Sequence, residues 1–168
     1  TKADVSGLVA QSGNLDLKIA GTAPLGLTAP FLKPRVLQGP ATFDLALNGP
    51  PALSSVSGTI GTAGATFSAP NLRIALTSID TNVTLSGTSA NVDVSAAVEN
   101  GGSLKVYGPI GLTGGLNSDL SILLTSVKLI DPSLYETTLD GTITVNGPLT
   151  GGAHRQSHAF SFSDSLRE

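Results

Sequence analysis

From Leu15 to Val145 apolar and polar residues alternate with a period of two, in segment after segment. In ATFDLALNG, Phe43, Leu45 and Leu47 fall on one side, and Thr42, Asp44 and Ala46 on the other. Successive side chains of a β-strand point to opposite faces, so this pattern demands extended strands with one apolar and one wet face. The same parity groups Leu15, Leu17 and Ile19; Leu72, Ile74 and Leu76; Val83 and Leu85; Val92, Val94 and Ala96; Leu104 and Val106. It continues through Leu120, Ile122 and Leu124; Leu139, Ile143 and Val145; and Phe160 and Phe162. The expectation is an all-β chain paired antiparallel, the arrangement that leaves one sheet face in water.

Helical periodicity is scarce. PLGLTAPFLKPRVLQ, from Pro24 to Gln38, is interrupted by Pro30 and Pro34, so it reads as a loop with one short helix. A second single turn is expected at Asp131, with Asp as N-cap and Pro132 in the first helical position. LALNGPPAL, LKVYGPIGL and ITVNGPLTGG share a Gly-Pro step at Gly49, Gly108 and Gly147. Each pair is expected to end strand pairing and reverse the chain, because glycine admits positive φ and proline lacks a ladder donor. The unequal spacing of the three steps argues against a strict solenoid repeat.

A second recurrence is VSGLV at Val5, VSGTI at Val56 and LDGTI at Leu139, each with a glycine at an apolar-face position. Two readings stay open: a strongly curved sheet with room on its concave side, or a backbone crowded against a packed core. Length suits one domain, 1–168, with a loosely ordered tail over 153–168. Charged residues are 12% and aromatics 4% of the 168 residues, so the chain is greasy without large core fillers. A closed sandwich would bury the apolar face with the chain's own residues, whereas an open face would suit flexible acyl chains.

The residues offer little for catalysis. The formal net charge is -3 with no basic cluster, which removes the electrostatic basis for nucleic-acid binding. Cysteine is absent, and His154 and His158 lack the further ligands a metal needs, so no metal, cofactor or catalytic residue is expected. GxSxG is missing, and Asp16, Asp44, Asp93 and Asp119 oppose the apolar parity as solvated outer positions. ENGGS and TGGLN lack the lysine of a phosphate cradle and read as turns. The N-terminal TKADVSG lacks the basic and apolar regions of a signal peptide, and no apolar run is long enough to span a bilayer as a helix.

PLGLTAPFLKPRVLQGPATFDLALNGPPALSSVSGTI, LTSIDTNVTLSG, NGGSLKVYGPIGL and LIDPSLYETTLDGTITVNGPLTGG follow one another over most of the chain. This ordered set resembles the C-terminal domain of the TamB family, AsmA-like periplasmic proteins of the translocation and assembly module of Gram-negative bacteria. The resemblance implies an elongated, curved antiparallel sheet folded into a β-taco with a concave apolar groove. It also implies a longer protein anchored in the inner membrane, spanning the periplasm and meeting the outer-membrane barrel TamA through its C-terminal end. HRQSHAFSFSDSLRE stops at Glu168 where the family continues with further strands, so the TamA-contacting end is expected beyond it. The implied role is phospholipid transport to the outer membrane, or assistance in inserting outer-membrane β-barrels such as autotransporters.

The expected partners are therefore phospholipid acyl chains or outer-membrane protein β-strands. The candidate groove lining is Leu45, Leu47, Ile74, Leu76, Val83, Leu85, Val92, Val94, Leu104, Val106, Leu120, Ile122, Leu124, Ile143 and Val145. Three alternatives stand beside lipid carriage: a chaperone for nascent barrel strands, a structural β-solenoid module with a closed core, and, last, an enzyme.

Overall fold

Alternation of this kind closes hydrogen bonds only against neighbouring strands, and the chain solves that with one sheet. The computed structural model describes residues 2–11, 13–113, 115–131 and 135–148. The strands are β1 (Lys2–Val9), β2 (Leu15–Pro24), β3 (Val36–Gln38), β4 (Pro40–Gly49) and β5 (Val56–Ala69). They continue with β6 (Ile74–Ser86), β7 (Ser89–Val98), β8 (Ser103–Gly111), β9 (Asn117–Asp131) and β10 (Tyr135–Pro148). These form a single ten-stranded sheet in the order β1-β2-β4-β5-β6-β7-β8-β9-β10, with β3 paired to β5. Every pairing is antiparallel, so the sheet is an open meander of hairpins.

The one excursion from the meander lies between β2 and β4. Leu25–Thr28 forms a 3-10 turn and α1 (Ala29–Leu32) a single helical turn before β3. β3 then runs almost into β4, and together they flank the long β5: Leu47 pairs with Val56 at one end and Val36 with Ser68 at the other. Between them Gly39 sits at φ +131, where a Cβ would meet the Ala65 Cα at 2.9 Å. Only a glycine lets the two segments share one partner strand at that approach.

Among the described residues three β-bulges interrupt the ladders. Each inserts one residue in left-handed conformation: Gly64 in β5 (φ +66), Ser78 in β6 (φ +49) and Ser126 in β9 (φ +50). An inserted residue flips the parity of everything after it. Hence Ile60 and Thr62 share a face with Ala65 and Phe67, Leu76 with Ile79, and Leu124 with Val127. The register puts these bulges close together across the strands, and because a bulge bends the strand that carries it, their line across the sheet is its crease.

A cluster of buried residues sits on that crease. Ala65, Ile79 and Ala96 form it, with Leu25, Phe67, Leu76 and Val94 packed against them. Two of the three central residues are alanines, small side chains that fit a closely packed site. Leu25 belongs to the excursion, whose hydrogen bonds from the Leu25 N–H to the Gly39 carbonyl and from the Thr28 hydroxyl to the Leu25 carbonyl hold it over the crease. Among the described residues no large side chain is fully buried.

The punctuation behaves less uniformly than its sequence. β4 ends at Gly49, but β8 runs through Gly108-Pro109 to Gly111. The Gly-Pro step there interrupts the β8–β9 ladder between Tyr107 and Ile110 while β7 stays paired throughout. Proline lost one donor on one side only, so the strand survived. β10 continues to Pro148, and the residues after it lie outside the described set. Leu72 also departs from expectation: it closes a 3-10 turn (Pro70–Leu72), and β6 begins at Ile74. The turn expected at Pro132, the histidines and the tail from 153 lie outside the described residues; Asp131 itself ends β9 paired with Tyr135. Residues 99–102 connect β7 to β8 and Ser103 opens β8; of TGGLN, Thr113, Gly115 and Leu116 lie between β8 and β9, and Asn117 opens β9.

Candidate functional site: the apolar face of the sheet

Strand pairing sets the candidate residues side by side. Leu45 lies opposite Gly58, Gly58 opposite Leu85, and Leu85 opposite Ala90. Val83 faces Val92; Val94 faces Val106, which faces Ile122, which faces Ile143. Leu104 faces Leu124, Leu120 faces Val145, Leu47 faces Val56, Leu76 faces Phe67 and Ile74 faces Ala69. All the candidate residues therefore share one continuous face, at the close cross-strand spacing where side chains touch. Most are half-buried, since neighbours in one layer cover their flanks and not their tips; Ile74 is the most open, at 37%.

Sequence parity missed several residues of this face. Ile79, Val127, Ala65 and Phe67 lie beyond bulges, where counting by twos fails. A signal existed: apolar spacings of three, from Leu76 to Ile79 and from Leu124 to Val127, mark the inserted residue. Leu25 carried no signal, because its position depends on how the excursion folds back.

At two of the recurring glycines, Gly7 and Gly58, the neighbouring strand leaves no room for a side chain. Gly58 adopts φ +126, and a Cβ on it would strike the Asp44 carbonyl oxygen and lie 2.9 Å from the Leu45 Cα. Gly7 stands in the same relation to Asp16 and Leu17, and Gly108 to Asp119 and Leu120. The crowding comes from the backbone of the adjacent strand, not from a core beneath. Gly141 lies beside the β9 bulge, opposite Leu124.

The outer face is polar and open. Asp16, Asp44, Asp93 and Asp119 are all exposed there. Asp93 pairs with Lys105 across β7 and β8 at 3.3 Å, and the Lys105 Nζ lies 5.9 Å from the Tyr107 ring centroid. Among the described residues no group of three or more His, Cys, Asp or Glu side chains is placed to hold a metal ion. An open cleft of about 440 Å³, lined by Thr22, Ala23, Pro24, Gly39 and Pro40, marks where the excursion leaves the sheet; none of these side chains titrates. The chemistry on offer is apolar area, arranged in rows. No helix among the described residues is long and apolar enough to cross a membrane. Comparison with protein-family models, curated proteins and solved structures returned no match.

Proposed function

We propose that this chain is a non-enzymatic module that shields lipid acyl chains on its apolar face, carrying phospholipid between the inner and outer membranes as the TamB-like motif order implies. The observation that supports this reading is a continuous aliphatic face on one sheet that, among the described residues, has no large side chain fully buried. From β4 to β10 the rows cross roughly 30 Å at about 4.8 Å per strand, a length comparable with the ~30 Å hydrocarbon core of a bilayer. Acyl chains need area and adaptable walls, which Leu, Ile and Val rows provide, and each Å² withdrawn from water contributes about 25 cal/mol. In this reading the module works in the periplasm within a longer, membrane-anchored protein.

Native mass spectrometry and lipid extraction on protein purified without detergent from a bacterial periplasm test the proposal. Co-purifying phospholipid is expected, retained in Ile122→Val and lost in Ile122→Asp, which sets an unpaired carboxylate among Val106 and Ile143. A stable protein that carries no lipid, and whose Ile122→Asp variant behaves like wild type, ends the lipid reading.

A further inference from the structure

Two aspartates take no part in the apolar face yet occupy equivalent places in the sheet. In β5, Ala63 and Gly64 together oppose the single Asp80 of β6, since Thr62 pairs with Thr81 and Ala65 with Ile79. In β9, Thr125 and Ser126 oppose the single Asp140 of β10, since Leu124 pairs with Gly141 and Val127 with Leu139. In both places the left-handed bulge residue donates its backbone N–H to the aspartate: Gly64 to the Asp80 Oδ1 at 3.0 Å, and Ser126 to the Asp140 Oδ1 at 2.7 Å. In both, the aspartate follows an aliphatic residue of the apolar face, Ile79 or Leu139. The same device is thus built twice, on β5–β6 and at β9–β10.

A bulge residue drops out of the regular ladder, and its N–H needs another acceptor. The carboxylate supplies one from the neighbouring strand. The consequence reaches beyond one hydrogen bond, because losing the bulge, with the strand pairing straight through, turns every side chain after it to the opposite face. If β9 paired straight through without its bulge, Leu124 and Val127, three residues apart, would fall on opposite sides. Holding Gly64 and Ser126 in place therefore fixes the bend of the sheet and the continuity of its apolar rows across that bend.

We propose that Asp80 and Asp140 are paired clasps that lock the Gly64 and Ser126 bulges, set the crease of the sheet and thereby set how far its apolar face is open. They are positioning residues, and the device is independent of what the face binds.

The test is amide hydrogen exchange by NMR on the whole chain, read at Gly64 and Ser126, with Leu17 and Ile19 of β2 as a distant reference. Asp80→Ala should speed exchange at Gly64 by about tenfold or more and leave Ser126 and β2 unchanged; Asp140→Ala should do the converse. Asp80→Asn and Asp140→Asn keep an oxygen acceptor and should fall between wild type and the alanine variants. The double alanine variant should bind the apolar dye bis-ANS more brightly than wild type as the face opens. Unchanged exchange at Gly64 and Ser126 overturns the proposal. So does acceleration spread equally over β2, or an asparagine variant indistinguishable from alanine, either of which marks a general loss of stability. Dye fluorescence that does not rise in the double variant overturns the link between clasp and opening.

Discussion

Ile79→Ala removes the largest side chain at the centre of the crease cluster. Ile79 is 7% exposed and packs with Ala65 and Ala96, flanked by Leu25, Phe67, Leu76 and Val94. Truncation deletes three carbon groups, about 2.4 kcal/mol at ~0.8 kcal/mol each. A cavity term adds to this, because Ala65 and Ala96 are short and their backbones are held in β-ladders, so the site cannot collapse. The expected loss is about 3–4 kcal/mol, with Ile79→Val costing about 1. Urea unfolding followed by circular dichroism should show a lower midpoint at unchanged slope. Leu8→Ala is the control: Leu8 is 75% exposed on β1, and its truncation should stay within about 0.5 kcal/mol. If Ile79→Ala and Leu8→Ala shift the midpoint equally, the crease is not where this sheet is held together, and the account of the core is wrong.

Gly58→Ala should cost about 3 kcal/mol or more, since the new Cβ meets the β4 backbone at a positive φ; Gly26→Ala, with nothing within 4 Å, should be neutral within about 0.5 kcal/mol in the same unfolding assay. Lys105→Ala should cost under about 1 kcal/mol, an effect that fades in 1 M salt, because the 3.3 Å pair with Asp93 has side chains 48% and 57% exposed.

Most of the strand inventory was readable from residues because period-two alternation is a local consequence of backbone geometry. ATFDLALNG becomes β4 with Phe43, Leu45 and Leu47 on one face for that reason alone. The short helix inside Pro24–Gln38 was readable too, since Pro30 and Pro34 bound its length. Gly108-Pro109 misled because a proline's missing donor matters only on the side where a partner would accept it, and that side is chosen by the sheet. The candidate face emerged as residues of common parity, yet parity could not carry across Gly64, Ser78 and Ser126.

Sequence alone determined that this chain forms amphipathic strands, which residues within each unbroken run share a side, and that the outer aspartates meet water. Tertiary structure decided how those runs are phased against one another. Bulge residues acquire their conformation from partners on the neighbouring strand: Gly64 from Asp80, 16 residues away, and Ser126 from Asp140, 14 away. It also decided where the sheet becomes buried, because Leu25 reaches Ala65, Ile79 and Ala96 only after the excursion folds back on the crease. Alternation is a property of one strand, whereas phase, bend and cover are properties of strands held together by long-range hydrogen bonds and packing.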